Sequence, residues 1–203
     1  MALFPRARGS QSGSLGSVRD FSPAAEKLFQ SQVPGDLVQA LHQHPGNWKE
    51  VFGADADETF SAYAVAHYIN QIAVAGKAEY PLPLYVNNWL KYRPDAIPGV
   101  NYPSGGPTYN MIDVWKAAAP AIDMIGPDIY MDDSDAYREV LNAYRRPDNP
   151  LWVPETGGSD ADAKYFFMHW ARARSDFRRS ELITPAGPSL TRNLRQCMPR
   201  IMR

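Results

Sequence analysis

The chain has 203 residues, a formal net charge of −1, 44% apolar residues and 21% charged ones. That length suffices for one ordinary domain with a substantial core, and the charge balance gives no global attraction to nucleic acid or to an acidic membrane. The single cysteine, Cys197, excludes an intramolecular disulfide framework and a cysteine-built metal cluster, and no apolar run approaches the roughly 20 residues that cross a bilayer. Met1 to Gly16 has no apolar core of signal-peptide length, so the sequence leaves the compartment open.

Residues 1–20 are rich in Ser, Gly and Arg without apolar periodicity and are expected to be irregular. Ser22-Pro23 then sets up a helix start, with Ser22 as N-cap and Ala24, Ala25, Leu28 and Phe29 at helical spacing. A short helix is expected from about Pro34 to His42, with Leu37, Val38 and Leu41 on one face. Asn47-Trp48 to Phe52-Gly53 reads as a turn with two aromatic anchors. The strongest helical pattern covers Asp55 to Ala78: Phe60, Ala64, His67-Tyr68 and Gln71-Ile72 recur at three and four residues. Asp55, Asp57 and Glu58 crowd its first turn, where the helix dipole favours acids. It is expected to pack on a sheet.

Leu82 to Val86 has strand composition and ends in Asn87-Asn88-Trp89, followed by a long Pro- and Gly-rich loop from Arg93 to Tyr109. Loops of that length inside a domain are usually functional or disordered. A helix from Met111 to Ala119 leads to a second strand, Ile122 to Tyr130. An amphipathic helix over Ser134 to Arg145 turns Tyr137, Val140, Leu141 and Tyr144 inward. A third apolar run, Leu151 to Val153, ends in Pro154-Glu155-Thr156, and a further helix begins at Asp160 and runs to Trp170.

This alternation implies an α/β fold with parallel strands and right-handed crossovers. Three units cannot close an eight-stranded barrel, so the pattern describes a small open sheet or part of a (β/α)8 barrel. Each strand ends in groups suited to a polar ligand: Asn87, Asn88 and Trp89; Asp128 and Tyr130; Glu155. In parallel α/β folds that edge is where chemistry collects. No phosphate-cradling glycine loop follows the first strand, and no serine-nucleophile motif is present. His42, His44, His67 and His169 lack metal-ligand spacing, so neither a metal nor another cofactor is expected.

What remains is carboxylate chemistry beside aromatic platforms. Retaining glycosidases use two carboxyl groups about 5–5.5 Å apart, one as nucleophile and one as proton shuttle. Trp89 is suited to stack on a sugar ring, and the amides of Asn87 and Asn88 to bond its hydroxyls; Trp48, Trp115 and Trp152 are expected in the core. A non-catalytic carbohydrate-binding or interaction module using the same strand ends is the alternative.

Trp48 to Gly53, Asp57-Glu58, LPLYVNNWL (82–90), YPSGGP (102–107), IDMIGPDIYM (122–131) and NPLWVPETG (149–157) together resemble β-galactosidases of glycoside hydrolase family 35, related to family 42. The similarity runs from about Ser12 to Phe167. It implies a partial (β/α)8 barrel over residues 21–170, roughly strands five to seven with their helices, flanked by irregular termini. It also implies a retaining mechanism on terminal β-galactosides with Glu155 as nucleophile. Tyr130 would orient that nucleophile, Asn87, Asn88 and Trp89 would line the pocket, and Asp128 would be a sugar contact or a structural group. The expected partner is a carbohydrate substrate, with neither nucleic acid nor membrane involved.

Two departures follow from the same comparison. The family's acid/base is the glutamate of an Asn-Glu pair after strand four, but Gln11 stands near that place and cannot shuttle a proton. The chain is therefore expected to be a central fragment with little or no activity alone. From Ala171 onward eight arginines stand against two acids. A basic arm that binds nucleic acid is one reading of this tail. However, Arg174 to Thr184 can be back-translated so that the neighbouring frame spells Ala-Ile-Gly-Phe-Ser-Pro-Phe-Gly-Ile-Asp-Tyr, which looks like the family's eighth strand. A frameshift near Phe167 or Met168, leaving 171–203 as an out-of-frame tail, is the preferred expectation, and the coding DNA tests it.

Overall fold

The structure, a computed structural model, describes residues 18–158 and 164–165. Gln11, the basic tail and most of the helix expected over Asp160 to Trp170 lie outside the described residues; Lys164 and Tyr165 are helical.

Helix α1 spans Pro23–Phe29, with the Ser22 hydroxyl accepting from the Ala25 N–H as its cap. Helix α2 spans Gly35–Ala40 and buries Leu37 and Val38. The segment read as a turn is a short helix, α3, over Trp48–Phe52. Its signal is an Asn-x-x-Glu capping box: the Asn47 side chain accepts from the Glu50 N–H, and the Glu50 carboxylate accepts from the Asn47 N–H. A single 3-10 turn at Gly53–Asp55 leads into α4, Ala56–Glu79.

Helix α4 has the expected extent but a different inward face. Phe60 is buried as expected, but its inward companions are Thr59, Ala62, Ala66 and Ala73, while Ala64, His67, Tyr68, Gln71 and Ile72 face out. Beyond Phe60 the inward stripe is made of small residues, and α4 packs chiefly on α5, Ile112–Ala118, and on α3. Alanine carries little periodic hydrophobicity, so the larger residues on the opposite side dominated the pattern.

The sheet has three parallel strands in the order β1 (Tyr85–Asn88), β2 (Met124–Ile129) and β3 (Glu155–Thr156). Strand β1 begins later than its apolar run because Pro81 and Pro83 lack the N–H a ladder needs. The same physics corrects the third strand. Pro150 and Pro154 bracket Leu151 to Val153, which lies outside the ladder, and only Glu155 and Thr156 join it. Near the start of β2 a side chain takes the place of a strand. The buried Asn149 accepts from the Ile125 N–H (2.8 Å) and donates to the Ile125 carbonyl (2.9 Å) and the Tyr144 carbonyl (2.8 Å).

Helix α6, Ser134–Tyr144, is capped by Asp133 and buries Tyr137, Leu141 and Tyr144, the face expected from its pattern. It packs against β2 beside Ile125 and Ile129, both fully buried. The described residues leave the opposite face of the sheet open: Tyr85 and Asn87 are exposed, and so is Trp152 at 42%, its ring 5.9 Å from that of Tyr85. Trp48 and Trp115 are in the core as expected; Trp152 is not. Among the described residues no helix is long and apolar enough to cross a membrane.

Candidate functional site

The site is set by strand register. Side chains alternate across a strand, so Asn87 and Asn88 must point to opposite faces of β1. Asn87 is on the open face. Its amide nitrogen donates to both Asp128 oxygens (3.0 and 3.2 Å) and to Glu155 Oε1 (3.1 Å). Carboxylates only accept, which fixes the nitrogen on that side of the amide. Asp128 and Glu155 are themselves direct register partners across β2 and β3. The nearest oxygens of the two carboxylates are therefore separated by no more than the sum of two hydrogen bonds to one nitrogen.

Glu155 is exposed, and the Tyr130 hydroxyl donates to its second oxygen at 3.0 Å. That bond to an anion, followed by some burial and the charges of Glu155 and Asp128, holds the Tyr130 phenol above its ordinary range. Asp128 is only 9% exposed. Burial, then the facing charge of Glu155, pushes its carboxyl up to about 6 against the opposing bond from Asn87. One carboxylate is thus solvated and the other is inside, the kind of contrast that separates roles in carboxylate sites.

Strand β3 is short, but its end is pinned from below. The Tyr137 and Thr156 hydroxyls are 3.2 Å apart, and the Tyr137 ring stacks on Tyr165 at 4.1 Å. Gly126, opposite Asn87, makes room for the chain leading to Glu155. A Cβ there would lie 2.6 Å from Pro154 Cδ and 3.0 Å from the Trp152 carbonyl oxygen.

Asn88 does not enter the site. It is 7% exposed, faces the helix layer and donates to the Tyr144 hydroxyl (3.0 Å) and the Trp89 carbonyl (2.6 Å). Tyr144 in turn donates to the Pro107 carbonyl at 3.1 Å, tying the long loop to the back of β1. The loop is also held by buried Glu58 of α4, which accepts from the Tyr102 hydroxyl (2.7 Å) and the Asn110 amide (3.0 Å), and by the Trp115 indole donating to the Gly105 carbonyl (3.1 Å). These bonds make the loop a buttress.

Trp89 is 51% exposed at the end of β1, and its ring meets Tyr92 edge-on with centroids 6.3 Å apart. Burial, then the charge of Asp128, raises the Tyr92 phenol. Tyr92 was missed from sequence because the helix-strand grammar stops before it; its spacing of three from Trp89 was the available signal. Asn149 was missed because no pattern marks a side chain that substitutes for a strand.

A separate cavity of about 480 Å³, lined by His42, Asp113, Lys116 and Asp148 among others, shares no residue with this cluster. Among the described residues no group of three or more His, Cys, Asp or Glu is arranged to hold a metal ion. No protein-family model matches the chain, and no curated protein matches it.

Proposed function

We propose that the chain carries the nucleophile half of a retaining glycosidase site of β-galactosidase type, built on part of a (β/α)8 barrel. The observation that carries this reading is Glu155. It is an exposed carboxylate at the C-terminal end of a parallel sheet, held through one oxygen by the Tyr130 hydroxyl and through the other by the Asn87 amide. Two donors on two oxygens leave a carboxylate fixed in orientation with its outer lone pairs free, which is what attack on an anomeric carbon needs.

In this reading β1, β2 and β3 are the fifth to seventh barrel strands, and the open sheet face is the barrel interior. Glu155 attacks the anomeric carbon, the bond to the leaving oxygen breaks, and a glycosyl ester forms. Tyr130 and Asn87 hold the attacking group, and Trp89 and Tyr92 offer a wall for the sugar or its leaving group. Gln11 stands near the expected acid/base position, so departure of a poor leaving group lacks a carboxyl proton donor and turnover by this chain alone is slight.

A reagent that needs no acid tests the nucleophile. A 2,4-dinitrophenyl 2-deoxy-2-fluoro-β-galactoside should leave a covalent adduct on the peptide containing Glu155, and Glu155→Gln should abolish it. Mass spectrometry that finds no adduct, or an adduct elsewhere, rejects the reading. Hydrolysis of an ordinary aryl β-galactoside at the rate of an intact enzyme would reject the half-site instead.

The exposed Trp89–Tyr92 pair favours one alternative, a non-catalytic carbohydrate-binding module. That reading expects saccharide binding, followed by tryptophan fluorescence, that survives Glu155→Ala and weakens with Trp89→Ala.

A further inference from the structure

Asp128 has no assigned part in attack by Glu155, yet three observations tie the two residues together. They are direct partners across the parallel ladder. One amide nitrogen, that of Asn87, bonds both. An amide has only two hydrogens, so one serves the two Asp128 oxygens as a shared donor and the other serves Glu155. Asp128 is also buried while Glu155 is exposed, so its charge is screened less than that of a fully solvated carboxylate.

We propose that Asp128 is a positioning residue for Glu155: it holds the Asn87 amide in place and, by gaining or losing one proton, sets how much negative charge faces the anomeric carbon. This rests on the reading of Glu155 as nucleophile. With Asp128 protonated the pair carries one charge; with Asp128 ionised it carries two, and the positive charge that develops on the sugar in the transition state is better stabilised. Burial and the Glu155 charge bring Asp128 up to about 6, so the change falls in the mildly acid range.

The groups that face Asp128 are consistent with this assignment. Glu155 comes from β3 and Tyr130 from the end of β2. Tyr92 follows β1, and Tyr144 lies behind on α6. The three phenols are all held above their ordinary range, partly by the Asp128 charge. They stay neutral across this window, so the charge that changes there is that of Asp128.

Two measurements on the full chain test the proposal. In carboxyl-detected 13C NMR, Asp128 should titrate near pH 6 and move toward the ordinary aspartate value of 3.8 in Glu155→Gln. The rate of adduct formation with the 2-fluoro reagent should rise with pH through the same window. Asp128→Asn keeps an oxygen that accepts from Asn87 but removes the charge. It should flatten that rise and lower the plateau by roughly tenfold, whereas a purely structural role would leave the pH profile in place. An inflection that persists in Asp128→Asn, or an Asp128 titration that ignores Glu155→Gln, overturns the proposal. If the titration moves but no adduct forms on Glu155, the carboxylate coupling stands, while the glycosidase reading and the positioning role for attack both fall.

Discussion

At the scale of single residues, two side chains that are neighbours in sequence have unrelated jobs. Asn87 joins two carboxylates on the open face, and Asn88 joins α6 to the loop on the other. The period of two in a strand makes this separation unavoidable once Tyr85–Asn88 is a strand. Tyr130 shows how one bond contributes. Its hydroxyl is the only described side-chain donor to Glu155 Oε2 apart from what a ligand would bring. Tyr130→Phe keeps the ring and deletes the donor, so Glu155 gains a free lone pair and loses its orientation. Adduct formation is expected to fall by about ten- to a hundredfold, with the melting temperature nearly unchanged because Tyr130 is exposed. A rate equal to wild type would show that Asn87 alone orients the nucleophile.

At the scale of elements, the site depends on how closely β3 can approach β2. The approach is set by Gly126, over which Pro154 and the Trp152 carbonyl lie too close for any Cβ. Backbone and a proline ring cannot rotate aside as a flexible side chain can, so Gly126→Ala must push the 152–154 segment outward and carry Glu155 away from Asn87 and Tyr130. A loss of about 2 kcal/mol or more in denaturant unfolding is expected, together with loss of Glu155 labelling. Retention of both would mean that β3 is held by Tyr137 and Thr156 rather than by its packing on Gly126. The buttress behind β1 works on the same scale. The Glu58–Tyr102–Asn110 cluster is buried and satisfied, and it fixes a proline- and glycine-rich loop that would otherwise carry a large conformational freedom.

At the scale of the whole molecule, acidic groups pull stability in opposite directions with pH. Asp57 is pushed up by burial, but bonds from Arg19 and Lys49 outweigh this and hold it low. Asp123 is likewise lowered against burial by Lys77 and the Leu84 N–H, and Asp148 is lowered chiefly by Arg146. Each of these contributes stability above its unfolded value of 3.8 that is lost as the pH falls through its lower folded value. Asp128 has the reverse sign. The native state keeps its proton up to about 6 and the unfolded chain only to 3.8, so the native state binds more protons in between and stability falls as pH rises across that window. The melting temperature should therefore peak near the acid end of that window, at about pH 4, decline toward about 6 and then level off. Asp128→Asn should remove the decline and stabilise the chain at neutral pH by about 1–2 kcal/mol, the roughly 3 kcal/mol of the full shift being reduced by solvent screening at this partly solvated site. A melting curve series in which the variant keeps the wild-type slope would place the proton elsewhere.

How much of this was legible beforehand differs from element to element. The order of helices and strands, the Ser22 cap, the inward face of α6 and the strand ends as a meeting place could all be read from periodicity and punctuation, because those signals are local. The inward face of α4 could not, since a stripe of alanines is chosen by close helix packing and not by hydrophobicity. The Asn-x-x-Glu box at Asn47 is legible in the sequence and marks a helix start where composition alone suggests a turn. Trp152 looks like a core residue by composition, yet it lies on the exposed side of the sheet with its ring edge-on to that of Tyr85. The sequence by itself determined that Glu155 follows an apolar run in an alternating α/β chain. Only the tertiary structure decided that Asn87, Asp128, Tyr130 and Glu155 meet within hydrogen-bond reach, because these positions are brought together by strand register and by backbone approach at a glycine, and neither leaves a trace in local sequence.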